Sequence, residues 1–365
     1  MIYLTHACNL ECSYCYEGKE KSNEYISQEL INPIIDYILG INGNQMLSIS
    51  FLGGEPLLNV DWIYSFIEEL ESRNINNVKY KTTTNGVLLN EKIIEYFKNK
   101  KFDISISIDG NKESNNLNRK PKLPNDDYYN KVITNIKYMS DNKIPFNGRI
   151  TVATNTVSNL YNNVKYLYNL GVEKINIGID RFADWNRKKL DIYNKELEKI
   201  DNYYLDKRLK KEEITIDIYD KKFGFFIPKR KIQFCSAGSK NHIVINSLGD
   251  IYPCSFVTNN KYWKIGNVVS GIDDIQLYNN ILGSLCKNTK CKECDIAYCC
   301  IGTRCGFYNY TKNGYLNKID EITCGIERIT NYHSKKVFDV LLKKGDPQIL
   351  EMIKYCKENN IEMII

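Results

Sequence analysis

Six short β-rich segments alternate with helical segments over the first 210 residues, and this alternation limits the fold more than any other feature. The candidate strands cover residues 2–5, 47–52, 78–83, 103–108, 146–152 and 173–179. Between them, apolar residues recur at the spacing of one helical face, as in "ISQELINPIIDYIL". Ser27, Asn90 and Ser158 stand where helix N-caps belong, and Gly171 stands where a C-cap belongs. The last unit ends in a long charged helix over residues 187–210.

Repeated strand–helix units favour parallel strands joined by right-handed crossovers. Six units are too few to close an eight-stranded barrel, so an open or partial barrel and a doubly wound sheet both fit the pattern. In either fold, ligands gather at the carboxyl ends of the strands. We therefore predict an α/β fold whose functional residues directly follow the strands.

The composition is that of an ordinary globular protein, with 43% hydrophobic and 26% charged residues. The net charge is +6, and the basic and acidic residues are interleaved, which indicates a solvated surface and not a nucleic-acid-binding one. The sequence shows no signal peptide and no run of ~20 apolar residues that could span a membrane. These features predict a cytoplasmic protein without nucleic-acid or membrane partners, in which clustered cysteines bind metal or react.

Three of the 13 cysteines follow the first strand within one short loop, "ACNLECSYCYEG". A structural zinc site takes four protein ligands, and a disulfide takes two. Three thiolates on one loop, from Cys8, Cys12 and Cys15, can instead hold three irons of a four-iron cluster and leave the fourth iron open. A zinc site completed by a distant residue, or a group of reactive thiols, is the alternative.

The spacing C-x3-C-x2-C, with Tyr14 and Tyr16 around its last cysteine, resembles the radical S-adenosylmethionine (SAM) enzymes. The resemblance implies that the open iron binds the amino and carboxylate groups of SAM. It also implies that SAM is cleaved to a 5′-deoxyadenosyl radical, which abstracts a hydrogen atom from the substrate. The implied fold is a partial (β/α)6 barrel over residues 1–210.

Further stretches match the same superfamily in order and position. "FLGGEP" resembles its GGE motif, in which Gly53 and Gly54 would allow close backbone approach and Glu55 would accept a hydrogen bond from the SAM ammonium. "TTTNG" and "SISIDG" end the third and fourth strands. By resemblance, the other SAM-binding residues are Asn85, Ser107 and Asp109 on the ribose and methionine side, Arg119 and Arg149 as candidates for the carboxylate, and Tyr14 and Tyr16 beside the cluster or the adenine. Either arginine could instead be an ordinary surface residue.

Ten of the 13 cysteines lie after residue 230, where "HIVINSLGDIYPC" predicts a hairpin around Gly249. Their order resembles the SPASM extension of radical SAM enzymes, here expected over residues 235–330. A bridging segment over 211–234 precedes it, and a helical segment over 331–365 follows it. The resemblance implies two auxiliary four-iron clusters, the inner one held by Cys235, Cys254 and Cys305 and the outer one by Cys291, Cys294, Cys300 and Cys324.

Several points about these cysteines stay open. Cys286 could supply a fourth ligand to the inner cluster, or that position could accept a substrate thiolate, which iron would hold deprotonated. The last spacing has four residues where three are usual, so Cys299 is a rival of Cys300. A zinc ribbon is the alternative for the whole region. Cys356 is expected to be structural.

The resemblance implies a maturase of ribosomally made peptides that joins a cysteine sulfur to a carbon as a thioether. The implied cofactors are SAM and three [4Fe-4S] clusters. The implied partners are a precursor peptide and a flavodoxin- or ferredoxin-type electron donor. Because the sequence starts on the first strand, we expect leader binding, if needed, from a separate protein or from the barrel rim.

The main alternative is an anaerobic sulfatase maturase, which oxidises Cys or Ser to formylglycine. Asp220 in "ITIDIYD" would be its proton-accepting residue. Against this alternative, Leu52 stands where those enzymes have glutamine, and "CSAGSKNHIV" lacks a cysteine that they tend to carry. A second alternative is a non-catalytic metal-binding module that only binds a partner.

Overall fold

Parallel strands in sequence order form the centre of the protein, which is represented by a computed structural model. The structure describes residues 1–18, 22–42, 45–123, 127–228, 235, 237, 242–258, 260–273, 281, 291, 293–300 and 305–364. Seven parallel strands follow one another in the sheet: β1 (Ile2–Tyr3), β2 (Leu47–Leu52), β3 (Val78–Thr84), β4 (Asp103–Ser107), β5 (Asn147–Val152), β6 (Lys174–Ile179) and β7 (Thr215–Ile216). All six predicted strands are present.

The strand order decides between the two predicted architectures. A doubly wound sheet reverses its order at a switch point, whereas β1 to β7 are neighbours in the order of the chain. Within the described residues β7 does not pair with β1, so the ring of strands stays open. The α/β fold and its partial barrel are therefore confirmed.

The cysteine-rich part continues the same sheet. Its strands are β8 (Val244–Ile245), β9 (Asp250–Tyr252), β10 (Gly266–Asn267) and β11 (Gly271–Ile272), and neighbouring pairs in this series are antiparallel. β8 pairs in parallel with β1, with Ile245 opposite Ile2. The predicted hairpin joins β8 to β9, and Gly249 takes a positive φ of 77° in its turn.

Helices cover the sheet, and most of them bury an apolar face. Their bounds are α1 (Ile31–Asn42), α2 (Val60–Ser72), α3 (Glu91–Asn99), α4 (Lys112–Asn118), α5 (Tyr128–Asp141), α6 (Leu160–Asn169), α7 (Arg187–Leu209), α8 (Asp217–Phe226), α9 (Gly306–Asn313), α10 (Glu321–Lys343) and α11 (Pro347–Glu358). In α2, for example, the fully buried Trp62 and Phe66 pack edge-on against Phe51 of β2, with ring centroids 6.4 and 5.9 Å away. Such aromatic contacts add to the free energy gained by burial.

Three of the four predicted caps occupy cap positions. Ser27 accepts from Glu29 N–H, Asn90 accepts from Ile93 N–H, and Gly171 follows α6 with a φ of 88°. Ser158 is a correction, because it lies inside a 3-10 turn (Val157–Asn159) that precedes α6. The turn displaces the start of the α-helix by one residue, so that Asn159 and not Ser158 is the residue before α6.

Helix α10 runs without a break through the predicted domain boundary at residue 330 and packs on α7 and α8. The C-terminal helical segment is therefore continuous with the end of the cysteine-rich part. Among the described residues, no helix has the length and apolar character needed to cross a membrane.

Candidate functional site

The carboxyl ends of the parallel strands open into a cavity of about 650 Å³, which we call the ligand cavity. Cys8, Cys12 and Cys15 line it, as does Cys305 from the cysteine-rich part. A second cavity of about 610 Å³ shares wall residues with it, including Cys15. Cysteines from both halves of the chain therefore face one space.

The three-cysteine loop brings its thiols together. Burial raises the pKa of the Cys12 thiol to about 11, and the neighbouring Cys8 and Cys15 thiols act in the same direction. Cys15 N–H donates to the carbonyl of Cys12, 3.2 Å away, and closes the loop. Ser13 N–H donates to the carbonyl of Asn118 and anchors the loop to the end of α4.

The two glycines of the GGE motif allow the chain after β2 to lie against the entrance of this loop. Gly54 N–H donates to Thr5 O at 2.9 Å, and Glu55 N–H donates to Ala7 O at 2.8 Å. A Cβ atom on Gly53, whose φ is 154°, would stand 2.4 Å from Thr5 O, and one on Gly54 would stand 2.3 Å from Ala7 O. Only glycine fits at either position, since the obstructing atoms belong to the backbone.

Glu55 takes a different place from the one predicted. It is completely buried and is not among the residues that line the ligand cavity. Its carboxylate accepts hydrogen bonds from Leu57 N–H, Thr84 Oγ1 and Asn85 N–H, at 3.0, 2.7 and 2.7 Å. Burial raises its pKa to about 7, and these three donors oppose the rise. In the structure, therefore, Glu55 ties the end of β2 to the end of β3.

Asp109 likewise lies behind the cavity wall. It is buried, and its carboxylate accepts from Arg119 Nη2 at 3.1 Å, from Thr151 N–H at 2.8 Å and from the hydroxyl of Tyr14. The Arg119 guanidinium carbon lies 5.4 Å from the centre of the Tyr14 ring. Burial disfavours the charge on Arg119, but Asp109 outweighs it and holds the pKa of Arg119 above its ordinary value. Asp109 thus positions Arg119 and Tyr14, which do line the cavity.

The remaining predicted SAM residues line the ligand cavity. The side chain of Arg149, at an exposed position in β5, has no hydrogen-bond or ion-pair partner in the described part of the chain. Asn85 donates to Asn9 Oδ1 at 2.7 Å. Ser107 ends β4. The half-exposed Tyr16 shares a hydrogen bond of 2.7 Å with Tyr3.

Buried polar atoms without a partner gather on the same cavity. Within the part of the chain that the structure describes, Arg119 Nε, Glu17 Oε1 and Tyr308 Oη each lack a hydrogen-bond partner, and all three residues line the cavity. Leaving such atoms unpaired costs about 1–3 kcal/mol each unless a ligand satisfies them. An unpaired donor and an unpaired acceptor suit a ligand with a carboxylate and an ammonium, so the residues fit SAM.

The three cysteines predicted to bind the inner auxiliary cluster are close together. We call these residues, Cys235, Cys254 and Cys305, set I. Burial raises the pKa of the Cys254 thiol to about 11, and neighbouring Cys305 and Cys235 act in the same direction. Cys305 precedes α9 and lines the ligand cavity. The predicted fourth candidate, Cys286, lies outside the described residues.

The four cysteines predicted to bind the outer auxiliary cluster are also close together. We call these residues, Cys291, Cys294, Cys300 and Cys324, set II. Burial raises the pKa of the Cys291 thiol, and neighbouring Cys300, Cys294 and Cys324 add to the rise. The rival Cys299 is fully buried, and its thiol donates to Asn331 Oδ1 at 2.8 Å. The structure thus directs Cys300 toward set II and Cys299 into the core. Cys356 is buried in α11, as expected of a structural residue.

The spacing of these groups bears on the zinc alternatives. No three His, Cys, Asp or Glu side chains in the described part of the chain are arranged to hold a single metal ion. Zinc at a Zn–S distance of about 2.3 Å would bring its sulfur ligands within ~4 Å of one another. An iron–sulfur cluster binds each thiolate to a separate iron and so holds the thiolates farther apart than a single zinc ion does.

Asp220 is a further correction. It belongs to α8 and lies away from the ligand cavity, where its buried carboxylate accepts from Ile216 N–H at 2.8 Å and from Tyr204 at 2.9 Å. Burial raises its pKa to about 6. The aspartate of this segment that lines the cavity is Asp217, which accepts from Ile177 N–H at 2.8 Å and pairs with Lys221 at 2.9 Å. The two carboxylates differ in their partners, since Asp217 is held by Ile177 N–H of the neighbouring strand and Asp220 turns back to Ile216 N–H before the helix.

The sequence analysis did not identify two groups of charged residues in the cavity wall. Glu17 pairs with His6 at 2.6 Å, and its place two residues after Cys15 was the available signal. Arg181 and Lys222 both pair with Glu327, at 2.9 and 3.3 Å. The members of this second group are distant in sequence, so no local pattern connects them.

Family models match both halves of the chain. The model for the radical SAM superfamily matches residues 2–155, and the model for SPASM, an iron–sulfur cluster-binding domain, matches residues 235–295. Several relatives match over most of the chain. An uncharacterized protein of Methanocaldococcus jannaschii is 32% identical over 70% of this chain and 83% of its own length. A cysteine-type anaerobic sulfatase-maturating enzyme of Clostridium novyi is 27% identical over 79% of this chain and 82% of its length. The radical SAM cyclopropyl synthase TigE of Paramaledivibacter caminithermalis is 25% identical over 90% of this chain and 72% of its length.

Solved structures share the fold. Native anSMEcpe with bound AdoMet and Kp18Cys peptide superposes with a TM-score of 0.76 at 20% identity, covering 94% of this chain and 98% of that one. SuiB of Streptococcus suis bound to the precursor peptide SuiA gives a TM-score of 0.59 at 18% identity, covering 88% and 74%. The arrangement of barrel and cysteine-rich part is therefore common to these proteins.

Proposed function

Because this chain belongs to the radical SAM superfamily and carries a SPASM domain, we propose that it is a peptide maturase that joins a cysteine sulfur to a carbon atom. The observation that carries the proposal is the ligand cavity, where Cys8, Cys12 and Cys15 share one space with Cys305. Membership of this enzyme superfamily disfavours the alternative of a non-catalytic module. SAM bound beside the first three cysteines supplies a 5′-deoxyadenosyl radical for hydrogen abstraction.

The residues on the barrel side would bind and orient SAM. Arg149 has an unpaired guanidinium and is the better candidate for the SAM carboxylate, since Arg119 is committed to Asp109. Arg119 still offers its unpaired Nε to the same cavity. The orphan Glu17 Oε1 is an acceptor for an ammonium or amide N–H. Glu55 would act indirectly, by holding the backbone of the GGE motif in place.

Set I would hold the inner cluster on the opposite side. It brings three thiols together and presents Cys305 to the cavity. A cluster with three protein thiolates keeps one position for the thiolate of a substrate cysteine, unless Cys286 takes it. The fold shared with SuiB bound to a precursor peptide and with anSMEcpe bound to a peptide supports a peptide substrate.

Mass spectrometry of the product tests the reaction. Enzyme reconstituted anaerobically is incubated with SAM, dithionite and the cysteine peptides encoded beside its gene. We expect loss of two hydrogen atoms, retention of sulfur and resistance of the cysteine to alkylation. C305A should still form 5′-deoxyadenosine but no thioether, whereas C8A should form neither. A C305A enzyme that forms the thioether as fast as wild type would contradict the proposal.

A second candidate, formylglycine formation, is favoured by Asp217, a carboxylate in the cavity wall. The similarity to the sulfatase-maturating enzyme of Clostridium novyi also supports it. Its product replaces sulfur with oxygen, so the same spectra separate the two reactions. In that case D217N should stop formylglycine formation while 5′-deoxyadenosine is still released.

The partners are part of the proposal. A flavodoxin- or ferredoxin-type donor would replace dithionite, and a separate protein or the barrel rim would bind the leader. Titration of a labelled precursor peptide against the enzyme alone tests the second point. Nanomolar, leader-dependent binding would show that no separate leader-binding protein is needed.

A further inference from the structure

Three charged residues, which we call the charge bridge, lie in the cavity wall beside the auxiliary cysteines: Lys222 and Glu327 are buried, and Arg181 is partly buried. Glu327 Oε1 accepts from Arg181 Nη2 at 2.9 Å, and Glu327 Oε2 accepts from Lys222 Nζ at 3.3 Å. The side chains of Arg181, Glu327 and Lys222 are 18%, 7% and 3% exposed. The proposed function assigns none of them a role.

Arg181 reaches toward set I through Tyr308. The guanidinium carbon lies 5.4 Å from the centre of the Tyr308 ring. The backbone N–H of Tyr308 in turn forms a hydrogen bond to the thiol of Cys305. Lys312 Nζ donates to the carbonyl of Arg181 at 2.8 Å and holds its backbone in place. The charge of Arg181 is therefore fixed close to the inner cysteines.

Lys222 reaches toward set II. Its Nζ donates to the carbonyl of Cys299 at 3.1 Å, directly before Cys300. Because one carboxylate joins Arg181 to Lys222, the charge bridge runs from the neighbourhood of set I to that of set II.

The charge bridge carries one positive charge in excess. In the described part of the chain, Glu327 is the carboxylate that pairs with either Arg181 or Lys222. An uncompensated charge in a buried site is costly unless an opposite charge lies nearby. Iron-bound thiolates would supply that negative charge, and the potential of an iron–sulfur cluster depends on nearby charge and on hydrogen bonds to its sulfurs.

We propose that the charge bridge raises the reduction potential of the cluster held by set I, with Arg181 as the residue that stabilises the reduced form. The proposal rests on the proposed function only in that set I holds a cluster. Reduction adds one negative charge, which a fixed guanidinium nearby favours at low effective dielectric. Arg181 is thus a positioning residue, because it acts on the cluster through its fixed positive charge and does not itself contact the reacting atoms.

A redox titration followed by electron paramagnetic resonance tests this inference without SAM or peptide. The parent protein carries Ala in place of Cys8, Cys12 and Cys15, so that only the auxiliary sites hold iron. We expect R181M to lower the midpoint potential of one auxiliary signal and E327Q to raise it. R181K should have a midpoint potential near that of the parent protein, because lysine keeps the positive charge.

R328M is the matched control. Arg328 donates to the Cys294 sulfur of set II at 3.4 Å, but its side chain is 50% exposed, so solvent and salt screen its charge. We expect R328M to shift the midpoint potential less than R181M does. An R181M midpoint equal to that of the parent, or shifts of the same sign in R181M and E327Q, would overturn the inference. Because the titration needs no substrate, a failure to modify peptides leaves its result intact, while an auxiliary region without iron overturns both proposals.

Discussion

Replacing Gly54 with alanine should separate the GGE motif from the three-cysteine loop. The new Cβ would stand 2.3 Å from Ala7 O and 2.4 Å from His6 O, both backbone atoms that cannot rotate away. Restoring an ordinary C···O contact of about 3.3 Å requires a displacement of about 1 Å. The hydrogen bonds from Gly54 N–H and Glu55 N–H, now 2.9 and 2.8 Å long, would then stretch beyond bonding distance.

The cost follows from these contacts. Two buried hydrogen bonds contribute about 1 kcal/mol each, and overpacking adds about 1–3 kcal/mol. A local penalty of about 3–5 kcal/mol falls on the residues directly before Cys8. We therefore expect G54A to lose the cluster held by Cys8, Cys12 and Cys15 while the auxiliary iron stays bound.

Iron analysis and 5′-deoxyadenosine formation after anaerobic reconstitution measure the effect. G54A should match C8A in both readings and keep a folded circular dichroism spectrum. G40A is the matched control, because a Cβ on Gly40 in α1 meets no atom within 4 Å and alanine stabilises a helix by up to ~1 kcal/mol over glycine. If G54A bound iron and cleaved SAM as well as G40A does, the close approach would have no role in forming the site.

Three further outcomes are expected. Burial raises the pKa of Glu55 from 4.5 to about 7, so its stabilising contribution is complete below pH 4.5 and is lost as the pH rises through 7. At about 1.4 kcal/mol per pH unit, the free energy of unfolding of the wild type should fall by about 3 kcal/mol across this range relative to that of E55Q. Denaturant midpoints of both proteins would show this difference, and parallel curves of stability against pH would contradict it. R149L should weaken SAM binding roughly ten- to hundredfold, since a hydrogen bond to a charged group is worth about 1.5–3 kcal/mol; an unchanged Kd in calorimetry would remove Arg149 from the SAM site. C300A should lose auxiliary iron and C299A should keep it, and the reverse result by metal analysis would exchange their roles.

The strands and the cysteine sets were predictable because their signals are local or repeated. β2 is predicted to the residue by an apolar run that ends at Gly53. The two auxiliary sets are what the resemblance to the SPASM extension implies, and the structure brings the same residues together. Ser158 shows the limit of local signals, since a 3-10 turn can replace the first turn of a helix without changing its pattern.

The roles of individual carboxylates were less predictable. Glu55 and Asp109 belong to motifs that resemble SAM-binding ones, yet both point into hydrogen-bond networks behind the cavity wall. What decides their direction is the set of donors contributed by neighbouring strands, such as Asn85 N–H for Glu55 and Thr151 N–H for Asp109. Asp217 and Asp220 are less than one helical turn apart, and only the backbone donors around them, Ile177 N–H and Ile216 N–H, distinguish the one that lines the cavity.

The pairing of β8 with β1 has a consequence for exchanging parts between relatives. The two halves of the chain meet through strand register, with Ile245 opposite Ile2, and not through a free linker. One residue inserted within β8 would turn its side chains to the opposite faces of the sheet and would disturb the packing of Val244 and Ile245, which are both buried. A chimera made from two such enzymes should therefore be joined so that this backbone pairing is kept, because loop length alone cannot restore the spacing between the two groups of cysteines.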